Sequence, residues 1–311
     1  MKGELNNMSI RTDLAIECRE MFAEEISGVE SQAHDSDGIT VTHVKIKTQE
    51  GADRIGKPIG NYVTIEIDEM LRDSEDVEER GAKAVCDELK KLLEKQKLDS
   101  VLIVGLGNQY ITPDSIGPKT VGKVTVTRHI TKEAQLGFDF LVRAVSAVAP
   151  GVLGVTGIET SEIVKGVIEH VKPSLVIAVD ALAARKLSRL GTTVQLSDTG
   201  ICPGSGVGNN RKELTEKTLG VPVIAIGVPM VVDAATLTVD IMESISHFVK
   251  EKTGNLRGGL MNSLAPSEHA LINEALSDKN ENMIVTPNDV DSISEQASNI
   301  IADGINLALH S

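Results

Sequence analysis

The stretch VLIVGLGNQYITPDSIGP, residues 101–118, decides how the chain is read. Its first four residues are all apolar, as in a strand buried on both faces of a parallel sheet. A double-glycine turn follows, then a stiff loop that holds one carboxylate, Asp114, between Pro113 and Pro118. The glycines do not make a nucleotide loop. Tyr110 stands where the dinucleotide fingerprint needs its third glycine, and no GK[ST] follows for a phosphate loop. The loop therefore presents an acid beyond the carboxyl end of a strand, which is where open α/β sheets place their sites.

Outward from this point the grammar is strand and helix in alternation. GPKTVG reads as a helical turn, KVTVT as a strand and SEIVKGVIEHV as a helix. PSLVIAVD is a strand, ALAARKLSRL a helix, and TTVQLSD and VPVIAIGVP are strands. AATLTVDIMESISHFVKE is a long helix, PSEHALINEALS a short one, and DVDSISEQASNIIADGINLAL closes the chain. Toward the N-terminus, a helix is expected over about 14–26. ITVTHVKIK alternates as a half-buried strand, with NYVTIEID as its antiparallel partner. EDVEERGAKAVCDELKKLLEKQ is an amphipathic helix that turns Val77, Ala84, Val85, Leu89, Leu92 and Leu93 inward. The expected fold class is α/β: a three-layer, mainly parallel twisted sheet with helices on both faces and a small antiparallel annex over residues 39–68. No repeat and no clean linker divides the chain.

Composition narrows the function. Of 311 residues 41% are hydrophobic but only 2% aromatic, with no Trp, so the core is expected to be Val, Ile, Leu and Ala, and the composition argues against RNA or single-strand binding by aromatic stacking. A net charge of −14 gives no global attraction to nucleic acid. Three separated cysteines, Cys18, Cys86 and Cys202, argue against a disulfide framework or zinc knuckle. Seven scattered histidines with no HExxH give no histidine metal site, so no metal or cofactor is expected. No GxSxG elbow supports a serine hydrolase. No apolar run is long enough to span a membrane and the N-terminus lacks a signal core, so a cytoplasmic protein is expected.

Three aspartates fall at strand ends: Asp114, Asp180 after PSLVIAVD, and Asp198 after TTVQLSD. Each has an ordinary alternative. Asp114 suits the turn TPDS, Asp180 suits an N-cap to ALAARKL, and Asp198 suits an Asx turn before Gly200. The DTG at 198–200 is not a pepsin signature, since that belongs to an all-β fold and here occurs once. Two carboxylates in one cleft separate in proton affinity, so one activates water while the other polarises a carbonyl. PGSGVGNNR, residues 203–211, is either a backbone nest for an anion or a loop rimming a cleft.

Long motifs in order carry a resemblance. RTDLAIE, NYVTIEID, GLGNQYITPDSIGP, PGVLGVTGIET, IAVDALAARKLSRLGTTVQLSDTGICPGSGVGNNR and VPVIAIGVPMVVDAAT resemble the germination proteases of spore-forming bacteria, over about residues 11–245 and less closely beyond. The resemblance implies an aspartic-type endopeptidase of hydrogenase-maturation-protease-like architecture. It would degrade small acid-soluble spore proteins in the spore core, and would be made as a zymogen and assembled as a homotetramer. It maps the catalytic pair onto Asp114 and Asp180. It also implies cleavage after an acidic residue and before an apolar one followed by Ala and, two residues later, Glu. RTDLAIE has that form, so self-cleavage is expected between Asp13 and Leu14, dividing a leader, 1–13, from a protease domain, 14–311. Gly204 and Gly206 would line the substrate cleft, and Arg185 or Arg211 would meet the acidic residue. Two other readings stand beside this one. One is a metal-associated maturation endopeptidase of the hydrogenase type, and the other a non-enzymatic anion-binding scaffold built on GLGN and PGSGVG.

Overall fold

The computed structural model describes residues 11–67, 75–96, 98–130, 143–204, 211–234, 236–238, 240, 241, 245 and 283–310. The strands are β1 (Val29–Ser36), β2 (Ile39–Ile46), β3 (Gly60–Ile67), β4 (Ser100–Gly105), β5 (Ala144–Val148), β6 (Leu175–Ala184), β7 (Thr193–Ser197), β8 (Val223–Asp233) and β9 (Ile284–Val285). They form one sheet in the order β1-β2-β3-β7-β8-β6-β4-β5, with β9 on β8. From β5 through β4 and β6 to β8 the pairing is parallel, and from β8 through β7, β3 and β2 to β1 it is antiparallel. The antiparallel part is larger than residues 39–68. It takes in β7 and adds β1, whose sequence VESQAHDS is too polar to read as a strand and whose residues after Val29 are exposed.

The helices are α1 (Ala15–Glu20), α2 (Gln49–Ile55), α3 (Glu75–Leu93), α4 (Ile116–Val121), α5 (Thr160–Val171) and α6 (Val290–His310). Strand alternation sends Val101, Ile103, Ile177 and Val179 to one face, where α3 and α6 cover them. Leu102, Val104, Val176 and Ala178 go to the other face, against Val164 and Ile168 of α5. The result is the expected three-layer α/β arrangement. Each such Val, Ile or Leu, fully buried, contributes about 1.5–3 kcal/mol, so this palette supplies a core without Trp.

Three local expectations are corrected. KVTVT is not a strand: the place beside β4 belongs to β5. Residues 123–127 cross instead, held through Thr127, whose N–H donates to the Val145 carbonyl at 3.0 Å and whose hydroxyl accepts from the Val145 N–H at 3.0 Å. ALAARKLSRL is not a helix. Its first four residues continue β6 and pair with β8 as far as Val232, leaving one 3-10 turn at Leu187–Arg189. Ladder pairing in a buried sheet overrides the helix propensity of alanine. The first helix ends at Glu20 instead of near residue 26. PSEHALINEALS and most of ISHFVKE lie outside the described residues.

Candidate active site

The acidic loop lies directly on the end of β4 and on β6, and two glycines make this possible. Gly107 has φ +104, and a Cβ there would sit 2.0 Å from the Asp114 carbonyl oxygen. A Cβ on Gly117 would lie 2.2 Å from the Leu106 oxygen and 2.6 Å from the Val179 oxygen. Only bare backbone lets the loop come so close. Thr112–Asp114 forms a 3-10 turn, and the Asn108 N–H donates to Asp114 Oδ2 at 2.9 Å. From the far side, Ser115 Oγ meets Ser294 Oγ of α6 at 3.1 Å.

Asp180 stands in the middle of β6, 4% exposed, and not at the strand's end. It caps no helix; its Oδ1 accepts from the Ala181 N–H at 2.9 Å. The neighbouring strand sets the site. β4 pairs with β6 only as far as Gly105 opposite Val179, so from Asp180 onward β6 runs past it and leaves an edge. Asp13 occupies that edge. Its N–H donates to the Ala183 carbonyl at 2.9 Å, and its Oδ2 accepts from the Ala183 N–H at 2.8 Å.

Asp13, Asp114, Asp180, Gly204 and Arg211 line one cleft of about 250 Å³. Burial raises the Asp114 carboxyl above its ordinary range, against the pull of the Asn108 N–H and the Arg211 charge. Burial raises Asp180 further, to well above that range, and the negative charges of Asp114 and Asp13 add to the effect; the Ala181 N–H and Arg211 oppose it. Both shifts favour the protonated form, and Asp180 more strongly, so a proton shared by the pair is held by Asp180 in preference to Asp114.

The structure does not bring the remaining candidates together. Gly206 lies outside the described residues. Arg185 is not among the lining residues: its Nε is 3.3 Å from Asp240 Oδ1, and its backbone N–H donates to Glu17 Oε2 at 2.6 Å. Asp198 accepts from the Asn61 N–H at 2.8 Å and from the Asn61 amide, tying β7 to β3. Among the described residues no group of three or more His, Cys, Asp and Glu is placed to hold a metal ion.

The segment after Asp13 is buried. Leu14 is 0% exposed, clustered with Leu182, Ala184, Leu190 and Val232. Glu17 accepts from the Arg185 and Lys186 N–H groups at 2.6 and 3.0 Å and lies 3.5 Å from Arg189. Sequence reading did not find Asn108, Gln195 or these two backbone amides as partners of the site. A polar Gln in an otherwise apolar or hydroxyl-bearing strand was the one available signal.

A pair of carboxyls of unequal proton affinity, one buried and one half-buried, beside a peptide segment is equipped to turn water on a carbonyl, which is hydrolase chemistry. The germination protease family model matches residues 6–269 and 250–311. A germination protease of Caldanaerobacter subterraneus is 48% identical, covering 97% of this chain and 94% of its own length. That of Clostridium acetobutylicum is also 48% identical over 97% and 95%, and that of Bacillus subtilis 42% identical over 99% and 95%. The chain belongs to the germination protease family and is a peptidase.

Proposed function

We propose that the chain is an endopeptidase that hydrolyses peptide bonds with water activated by Asp114, while protonated Asp180 polarises the carbonyl. The observation that carries this reading is the shared cleft of Asp114 and Asp180, in which Asp13 of the chain's own RTDLAIE segment also lies. The same placement supports a zymogen that cuts itself between Asp13 and Leu14. The bond joins an acid held on the edge of β6 to a leucine sunk in an apolar pocket. Small acid-soluble spore proteins as substrates, the spore core as location and a homotetramer as assembly rest on the family resemblance.

The test is the intact mass of the full chain over time with a chelator present. Loss of the segment through Asp13 is expected, and an unchanged mass would sink the zymogen reading. The rate should follow a bell in pH. Falling pH protonates Asp114 and rising pH deprotonates Asp180, and each limb changes about tenfold per pH unit. Because both carboxyls are raised, the window lies above the ordinary carboxylate range. A rate constant from about pH 5 to 7.5 would count against the pair, since raised carboxyl pKa values fall in that span.

Among the described lining residues, Arg211 supplies the positive charge of the cleft. With Arg211→Ala, the preference for Asp over Asn before the cut bond should fall about tenfold, the lower end of a hydrogen bond to a charged group. Competing peptides measure the ratio, and an unchanged ratio removes Arg211 from that role.

A further inference from the structure

The carbonyl of Asp13 and the N–H of Ala15 flank the bond that the proposed function assigns to self-cleavage, and one side chain holds both. Gln195 Nε2 donates to the Asp13 carbonyl at 3.1 Å, and Gln195 Oε1 accepts from the Ala15 N–H at 2.7 Å. The orientation of the amide is fixed by chemistry: a backbone N–H can only donate, so the oxygen faces Ala15 and the nitrogen must face the carbonyl. Gln195 is 8% exposed. It projects from β7 on the face opposite Val194 and Leu196, which enter the main core.

Position makes this clamp more than an anchor for α1. Asp13 and Leu182 are common to two adjoining clefts: one holds Asp114 and Asp180, and the other, of about 220 Å³, holds Gln195. The segment at Asp13 therefore has the carboxylates on one side and the amide donor on the other. The Leu14 N–H is engaged separately, by Thr12 Oγ1 at 3.1 Å.

We propose that Gln195 is the donor that binds the oxygen of the Asp13 carbonyl as charge develops on it, and that its second bond to Ala15 sets which peptide bond faces the carboxylates. This rests on the reading of Asp13–Leu14 as the cut bond. Water adds to the Asp13 carbonyl carbon, its proton passing to Asp114. The C–N bond then breaks, and the Leu14 nitrogen leaves as an amine with a proton from the pair. Gln195 exchanges no proton; it strengthens its hydrogen bond as the oxygen becomes negative. The Ala15 contact fixes register, because a slip of one residue would present the Leu14 carbonyl and the Ile16 N–H to the same amide.

The experiment follows self-cleavage of the full chain by intact mass, with thermal unfolding of each variant as a control on folding. Gln195→Ala should slow cleavage about 10²-fold, the scale of losing one preorganised donor to a developing oxyanion. Gln195→Glu keeps the shape and the acceptor for Ala15 but puts a carboxylate against the carbonyl, so it should be slowed at least as much. Its rate relative to wild type should rise as pH falls, because a protonated carboxyl donates as the amide does. A structural role alone predicts that both variants slow only in proportion to their loss of folded protein, with a Gln195→Glu ratio flat in pH once folding is accounted for, and that result overturns the proposal. If wild type cleaves elsewhere or not at all, the reading of the bond has failed, and the assignment of Gln195 fails with it.

Discussion

Asp180→Asn is expected to abolish self-cleavage and at the same time make the protein more stable at neutral and alkaline pH. The loss of activity should be at least about 10³-fold, within the range of a positioned acid or base. Adding Asp114→Asn should cost little more, because the two carboxyls act as a unit. The gain in stability follows from linkage. Asp180 is buried at 4% exposure beside two other carboxylates, and its folded pKa lies well above the unfolded value. The folded state therefore binds this proton more tightly than the unfolded state does. Stability from Asp180 is present in full below the unfolded carboxyl pKa and falls as pH rises toward the folded one. Asparagine ionises at no pH, so the variant keeps what the wild type loses. Each unit by which the pKa is raised is worth about 1.4 kcal/mol once the pH exceeds the folded value. Melting temperatures of both proteins across pH give the answer. The curves should converge below about pH 3, where even the unfolded carboxyl is largely protonated, and diverge above it. Equal melting temperatures at every pH would mean that Asp180 is not a strained acid. Retained cleavage would move the acid role elsewhere.

A stabilising change that removes activity is what a functional site predicts, since the site holds groups that oppose one another. Asp114, Asp180 and Asp13 share a cleft although their charges repel. The raised proton affinity of Asp180 and the Arg211 charge make this arrangement tolerable, and the Ala181 and Asn108 amides each donate a hydrogen bond. Surrounding core residues over-determine the geometry. Val179 and the alternate residues of β6 before it are fully buried, so the strand cannot move away from the acid it carries.

Legibility in the sequence followed physical locality. VLIVGLGN could be read because a strand covered on both faces must be continuously apolar. Asp114 could be read because Pro113 and Pro118 stiffen the loop around it. Asp180 could be read as an acid at the close of an apolar run, but not as a mid-strand residue. ALAA has the composition of a helix, and only pairing with Val228 through Val232 of β8 makes it a strand. What was misplaced or missed depends on partners distant in sequence. β1 is polar and stands on its pairing with β2 alone. Gln195 is 182 residues from the carbonyl it holds, and Glu17 is 168 from the amide it accepts. No local period encodes such contacts.

Gly117→Ala is the change expected to damage the fold most for its size. Gly117 lies in the first turn of α4, pressed onto the end of β4. An added Cβ would sit 2.2 Å from the Leu106 oxygen, 2.4 Å from the Leu106 nitrogen and 2.6 Å from the Val179 oxygen. All three are backbone atoms, and the last two are joined by the hydrogen bond from the Leu106 N–H to the Val179 carbonyl at 2.8 Å. No side chain can rotate to make room, so either the loop lifts or that bond breaks. Loop lifting carries Asp114 away from Asp180; bond breaking opens the sheet where the cleft begins. The expected loss is about 3 kcal/mol or more, at the upper end of overpacking effects. Cleavage should fall by more than the folded fraction does, because displaced acid remains displaced in molecules that fold. Gly122→Ala is the matched control on the same helix. Gly122 has φ −65, and its nearest contact would be the Lys119 oxygen at 3.4 Å. Alanine there should be neutral or stabilise by about 0.4–1 kcal/mol through the unfolded chain. Urea denaturation of the two variants reads the difference directly. If Gly117→Ala unfolds at the wild-type midpoint, the loop is not docked on the strands, and the nearness of Asp114 to Asp180 loses its structural cause.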